Sequence, residues 1–233
     1  MKKLVLILFV CLLTLGTFAQ NVQTHYDLGK GREYLTTTVE MFRPDKFGST
    51  FFFIDMNYGD AGVKGVSLAY WEIARAFTFG KCPIALHVEY NGGFGQFKNQ
   101  LGNALAYQIN DAYLGGLEYS LLAKDFSRGF TIQTLFKSIR GKNEASFQLT
   151  GVWYMNLLNN KVSFNGFADF WKEDSDFNFD GKTDAEFTFL AEPQLWYNCC
   201  KKFAVGGEVE LSNNFGGHEG FMVNPTVAMK YTF

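Results

Sequence analysis

Beyond residue 15 the chain has no uninterrupted apolar stretch long enough to cross a bilayer as a helix, which excludes a bundle of transmembrane helices. Histidine is scarce, 3 in 233 residues, and His25, His87 and His218 stand in no local Ser/His or Asp/His pattern. Nothing therefore points to a nucleophile with its base, and no enzymatic activity is expected. Cysteine is sparse too. With Cys11 assigned to the N-terminal segment, Cys82, Cys199 and Cys200 remain, an odd set that is no disulfide framework. The adjacent Cys199 and Cys200 cannot bridge without a strained ring, and no Cys-x-x-Cys or Cys/His spacing suggests zinc. Neither sign of charge dominates, with 21 basic and 23 acidic residues and no basic stripe, so a nucleic-acid partner is not expected.

The N-terminus carries an export pattern. Lys2 and Lys3 precede an apolar run over residues 4–15, and Thr17-Phe18-Ala19 offers small residues at the −3 and −1 positions of a cleavage site. Residues 1–19 are read as a signal peptide removed before Gln20. The run is short for a membrane anchor, and Leu8-Phe9-Val10 ahead of Cys11 lacks the small residues of a lipoprotein site.

What is abundant in residues 20–233 is aromatic: the whole chain has 26 Phe and 11 Tyr, and it is not hydrophobic on average. The aromatics alternate with polar residues. In "FMVNPTVAMKYTF", Phe221, Val223, Pro225, Val227, Met229, Tyr231 and Phe233 occupy one parity, and Met222, Asn224, Thr226, Ala228, Lys230 and Thr232 the other. A period of two places the two sets on opposite faces of a strand. The same period recurs in "PIALHVEYN", "KVSFNGFADFW", "EFTFLAEPQLWYN" and "KFAVGGEVELS", always with one apolar face and one polar face bearing carboxylates.

About twelve such segments follow one another, each near the ~9–11 residues a tilted strand needs to span a bilayer. They cover 21–28, 33–43, 49–58, 65–78, 83–92, 103–122, 129–138, 144–156, 161–172, 184–197, 202–212 and 221–233. Connections after even segments are tight, as in "RPDKFG" and "NCCKK". Those after odd segments are longer and richer in Gly and charge, as in "NGGFGQFKNQLGNA" and "KEDSDFNFDGKTD", although the first, "GKGR", is short. The expected fold is all-β: one transmembrane antiparallel β-barrel over 20–233, about twelve strands, both termini periplasmic, in the outer membrane of a Gram-negative-type cell. A lipocalin-like barrel or a sandwich shows the same alternation with the faces exchanged. Outer-membrane lipid is the expected surround, and the strand ending in Phe233 is expected to engage a barrel-assembly machinery.

Several segments resemble the nucleoside-specific channel-forming, Tsx-type family of outer-membrane barrels, as a divergent branch. They are "LAYWEIARAFTF" (68–79), "KVSFNGFADFW" (161–171), "EPQLWYN" (192–198), "FAVGGEVELSNNFG" (203–216) and "NPTVAMKYTF" (224–233). The resemblance implies a monomeric twelve-stranded barrel that passes nucleosides by diffusion along a narrow, partly aromatic lumen.

The parity of the last strand assigns the lumen face. Acids on it are Asp27, Glu40, Asp55, Glu89, Glu118, Asp169, Glu186, Glu192, Glu208 and Glu210, against Lys137 and Lys230, with His25 and His87 as titrating groups. Such a lining repels anions and favours neutral or cationic solutes. Phe51, Phe53, Phe167, Trp171 and Trp196 share that face, either as stacking platforms for rings or as bulk that fills a small barrel. The candidate solute-binding set is Phe53, Asp55, His87, Glu89, Glu118, Phe167, Asp169, Glu192, Gln194, Trp196, Glu208 and Glu210. The alternative function is a non-transporting structural or attachment barrel acting through its external loops, with a lipid-directed barrel enzyme behind it.

One stretch suggests a different chemistry. In "EDSDFNFDGKTDAEF", Asp176, Asn178, Asp180, Gly181 and Asp184 match the early ligand positions and turn glycine of an EF-hand. The twelfth position is Phe187 instead of a bidentate Glu, and the flanks read as strands. The segment is therefore expected to be an external loop, with calcium bound weakly there if at all and no other cofactor.

Overall fold

The computed structural model describes residues 19–80, 82–142, 145–177, 181 and 183–233. Most of the expected signal peptide, 1–18, lies outside them. The described chain is built from β-strands: β1 (Ala19–Asp27), β2 (Leu35–Asp45), β3 (Gly48–Tyr58), β4 (Val66–Thr78), β5 (Ile84–Lys98) and β6 (Ala104–Leu122). There follow β7 (Arg128–Ile139), β8 (Ser146–Leu157), β9 (Val162–Ser175), β10 (Asp184–Ala191), β11 (Gln194–Asn198), β12 (Phe203–Asn213) and β13 (Phe221–Thr232). Antiparallel ladders join neighbours along the chain, and β13 pairs with β1 from Asn21↔Thr232 to Asp27↔Thr226, so the sheet closes on itself.

The thirteen strands make twelve staves. β10 and β11 both lie between β9 and β12, in one register: Ala191 faces Ala168 and Leu211, and Gln194 faces Asn165 and Glu208. Pro193 has no N–H to give to a ladder, which is why the stave is interrupted there. The break is local, because Glu192 N still donates to Phe167 O (3.0 Å) and Val209 N to Pro193 O (3.1 Å).

The faces fall as a membrane barrel requires. On β1 the side chain of Gln23 is 1% exposed, whereas Val227 on the adjoining stave is 54% exposed; Trp196 is 0% exposed beside Leu195 at 58%. The polar face is inside and the apolar face outside, the reverse of a lipocalin or a sandwich, which settles that alternative. Ile73, Val88, Leu117, Leu195 and Met229 contribute to the outward belt. Aromatic side chains meet on its surface: Tyr90 with Tyr113 (ring centroids 5.5 Å), Phe136 with Phe147 (6.1 Å) and Phe170 stacked on Phe187 (5.2 Å).

Two expected loops prove to be partly strand. β5 runs to Lys98, past the expected end at 92, so "NGGFGQFKNQLGNA" shrinks to a short turn in which Asn99 Oδ1 accepts from Leu101 N and Asn103 N. Gly93 allows this, because a Cβ there would press on the Ala69 carbonyl of the next stave. β9 likewise continues to Ser175 and takes up the first acids of "KEDSDFNFDGKTD". The segment 103–122 is one strand of 19 residues, with an irregularity opposite Asn91 and Gly93. At 15 and 19 residues, β5 and β6 outrun a bilayer span and project beyond the belt.

Val227 lies mid-stave on the lipid-facing side. Val227→Arg is expected to cost about 2–4 kcal/mol of unfolding free energy in lipid vesicles. Leu101→Arg, in the turn beyond the belt, is expected to cost under ~0.5 kcal/mol. Urea titration of both variants checks this, and equal costs would contradict the outward belt.

Candidate functional site

With its apolar face turned to lipid, the barrel encloses its polar residues, and each buried polar group needs a partner. Partners come mainly from the neighbouring stave at the same level, so the lumen is lined by side-chain networks.

At the end opposite the termini, Arg32 in the loop after β1 reaches back into the lumen. Its Nε lies 2.8 Å from Asp27 Oδ2 and its Nη1 2.6 Å from Glu210 Oε2 on β12. Asn224 Nδ2 and Ser212 Oγ donate to the other Glu210 oxygen, each at 3.0 Å. Burial favours loss of the Arg32 proton, but the Glu210 carboxylate outweighs it and holds the guanidinium charged beyond its usual range. Burial also lifts the hydroxyl of Tyr34, which accepts from Arg32 Nε, above its ordinary value.

Deeper inside, carboxylates from several staves converge. Asp55 accepts from Thr38 Oγ1 (2.5 Å), and Glu208 from Gln194 Nε2 (2.6 Å). Asp169 accepts from Thr150 Oγ1 (2.5 Å), and Glu72 from Tyr70 Oη (2.7 Å) and Asn91 Nδ2 (3.2 Å). His87 is clamped, with Nδ1 2.8 Å from Glu118 Oε2 and Nε2 3.0 Å from Glu89 Oε2.

Two inward lysines rest on tryptophan faces. Lys137 Nζ sits 3.9 Å from the centroid of Trp171 and donates to Gln148 Oε1 (2.8 Å). Lys230 Nζ sits 4.0 Å from the centroid of Trp196, whose Nε1 donates to Gln194 Oε1 (3.0 Å). A desolvated cation on an indole gains about 2 kcal/mol, which helps explain how an ammonium is kept inside the wall. His25 meets Trp196 edge-on and is bonded to Gln23 and Thr226.

Ladder register or side-chain contacts put Phe53, Asp55, His87, Glu89, Glu118, Phe167, Asp169, Glu192, Gln194, Trp196, Glu208 and Glu210 on the lumen side. Tyr70 and Glu72 belong with them and escape notice in the sequence. In "LAYWEIARAF" aromatics fall on both faces and blur the alternation, although the outward Ile73 and Phe77 carry the parity. Glu173 is a second omission, accepting from Trp171 Nε1 (2.8 Å). Arg32 is a third, and no periodicity reaches a loop residue.

Of the EF-hand-like positions, Asp176 accepts from Gly181 N (2.9 Å) and Asp184 opens β10, while Asn178 and Asp180 lie outside the described residues. Strands flank the segment, as the sequence indicates. Among the described residues no group of His, Cys, Asp and Glu is arranged to hold a metal ion. Cys82, Cys199 and Cys200 are free thiols on turns at the rim where β1 begins and β13 ends.

Removing Arg32 leaves the enclosed Asp27 and Glu210 carboxylates without their shared cation. Arg32→Ala is expected to cost about 1.5–3 kcal/mol, and Arg32→Lys less, because one ammonium keeps the charge but not the two-armed geometry. Urea midpoints of the folded protein in vesicles measure this, and unchanged midpoints would show that the contact carries no weight.

Comparison with solved structures finds similarity at low sequence identity. The chain is similar to a structure described as KdgM porin, with 11% identity over 92% of this chain and 99% of that one and a TM-score of 0.48. It is similar to the outer membrane protein Omp33 of Acinetobacter baumannii, at 13% identity over 93% and 98% with a TM-score of 0.43. It is similar also to OmpT, an outer membrane protein of Vibrio cholerae, at 10% identity over 93% and 98% with a TM-score of 0.43. No curated protein matches significantly. The family described as "Domain of unknown function (DUF5020)" matches residues 19–233, and the chain belongs to that family.

Proposed function

We propose that the protein is a narrow outer-membrane channel for passive diffusion of small neutral or cationic solutes, with nucleosides the solutes that suit its lining best. The observation that carries this reading is the convergence of Asp55, Glu72, Glu89, Asp169, Glu192 and Glu208 on the lumen, far in excess of the enclosed lysines. Fixed carboxylates in a low-dielectric wall lower the energy of a cation and raise that of an anion. A nucleoside is uncharged and offers hydroxyls and ring N–H groups to such acceptors, whereas a nucleotide brings the charge they repel. Phe53 and Tyr70, with ring centroids 6.0 Å apart, and Phe167 on the lumen side of β9 supply faces for a flat ring.

A second reading has its own observation. Trp196, Gln23, Thr188 and Leu135 are almost wholly inaccessible, so that part of the cross-section is filled by side chains. A barrel filled across its whole width would be a structural or attachment protein acting through its loops.

Planar-bilayer recording under a salt gradient separates the two. The expected result is a small conductance with cation preference. The Glu72→Gln, Glu89→Gln, Asp169→Asn triple variant is expected to lower that preference several-fold. Proteoliposomes should take up nucleosides faster than nucleotides. A pore that prefers anions overturns the channel as described, and absence of any pore or uptake favours the structural barrel.

A further inference from the structure

At the rim where β1 begins and β13 ends, the charge pattern reverses. A cavity of about 500 Å³ opens there between the turn at Asn159 and Asn160, the turn at Cys200–Lys202 and the inward face of β12 and β13. Four lysines line it, Lys161, Lys201, Lys202 and Lys230, and no carboxylate does. None of the four makes an ion pair among the described residues. Lys161, Lys201 and Lys202 are exposed on the turns, so their positions alone mean little.

Lys230 is different. It projects inward from β13, packs on Trp196 and lies at the inner end of this cavity. Glu40, the carboxylate that acts on it through space, is bonded to Asn21 Nδ2 (2.9 Å) and forms no salt bridge with it. An enclosed ammonium that touches no counter-ion is costly unless a ligand supplies the charge. Asn160 and Thr232, which line the same space, add polar groups for an oxyanion.

We infer that this cavity is a binding site for a phosphate-bearing anion that enters from the termini rim. The three turn lysines attract the anion, Lys230 neutralises it at the base of the cavity, and the carboxylates of the lumen beyond stop it from travelling further. The site thus holds an anion at the mouth of an acidic passage. The shared chemistry is a phosphate with free oxygens, supplied either by a soluble phosphate or by an anionic lipid headgroup at the membrane surface.

The test is calorimetric titration of the purified, folded full-length barrel with inorganic phosphate, in neutral detergent at low salt. A parallel arm uses the barrel in nanodiscs with and without phosphatidylglycerol. Binding of phosphate to the wild type is expected to weaken at least tenfold in Lys230→Gln and in the Lys161→Gln, Lys201→Gln, Lys202→Gln triple variant. It is also expected to fall with added salt. Phosphate binding lost only in phosphatidylglycerol nanodiscs would identify the lipid headgroup as the occupant. No binding in either arm, or binding unchanged in both variants, overturns the proposal. The turn variant guards against misfolding, since its three side chains are exposed. The readout needs no conductance, so it stands or falls separately from the channel reading.

Discussion

Everything in this structure depends on the pairing of β1 with β13. In hydrocarbon no water is available to backbone N–H and C=O groups, so a sheet that spans a bilayer must leave no edge. The ladder from Asn21↔Thr232 to Asp27↔Thr226 removes the last two edges and turns twelve staves into a wall. The wall tolerates Pro193 because the groups beside it keep their bonds, through Glu192 N to Phe167 O and Val209 N to Pro193 O. Where the ladder between β12 and β13 falters, Thr226 supplies a side-chain hydroxyl, 3.0 Å from Glu208 N.

Closure dictates the interior. Once the apolar faces belong to lipid, the polar faces are packed against one another, and Asp55, Glu72, Glu89, Asp169 and Glu208 are each held by a hydroxyl, amide or imidazole from the same or the next stave. Where such a network forms it is rigid, because moving one member strands its partner. Lys137 and Lys230, each on a tryptophan, are cations within this interior. Arg32, a further cation, comes from a loop and ties together the ends of β1 and β12 that lie away from the termini.

Charge is therefore distributed along the axis. A paired cluster at the end away from the termini gives way to carboxylates through the middle and, at the opposite rim, to lysines that make no ion pair among the described residues. An interior graded in this way presents a different charge at each end, which a uniform lining would not.

The alternation in "FMVNPTVAMKYTF" and its counterparts was enough to determine the all-β content, the count of staves and, where the period is clean, which residues of a strand share a face, because a period of two is a local property. It grouped Glu208, Glu210, Trp196 and Asp169 each on the carboxylate-bearing face of its strand without a structure. Blurred periods hid Glu72, and the reach of Arg32 from a loop could not be read from any spacing. Which parity faces inward, and so whether the barrel is wet inside or outside, was open to the alternation alone, since exchanging the faces leaves the pattern unchanged. Tertiary structure decided that. It also decided which groups meet, placing His87 between Glu89 and Glu118 and Arg32 between Asp27 and Glu210, because such pairings depend on closure and register between segments far apart in the chain.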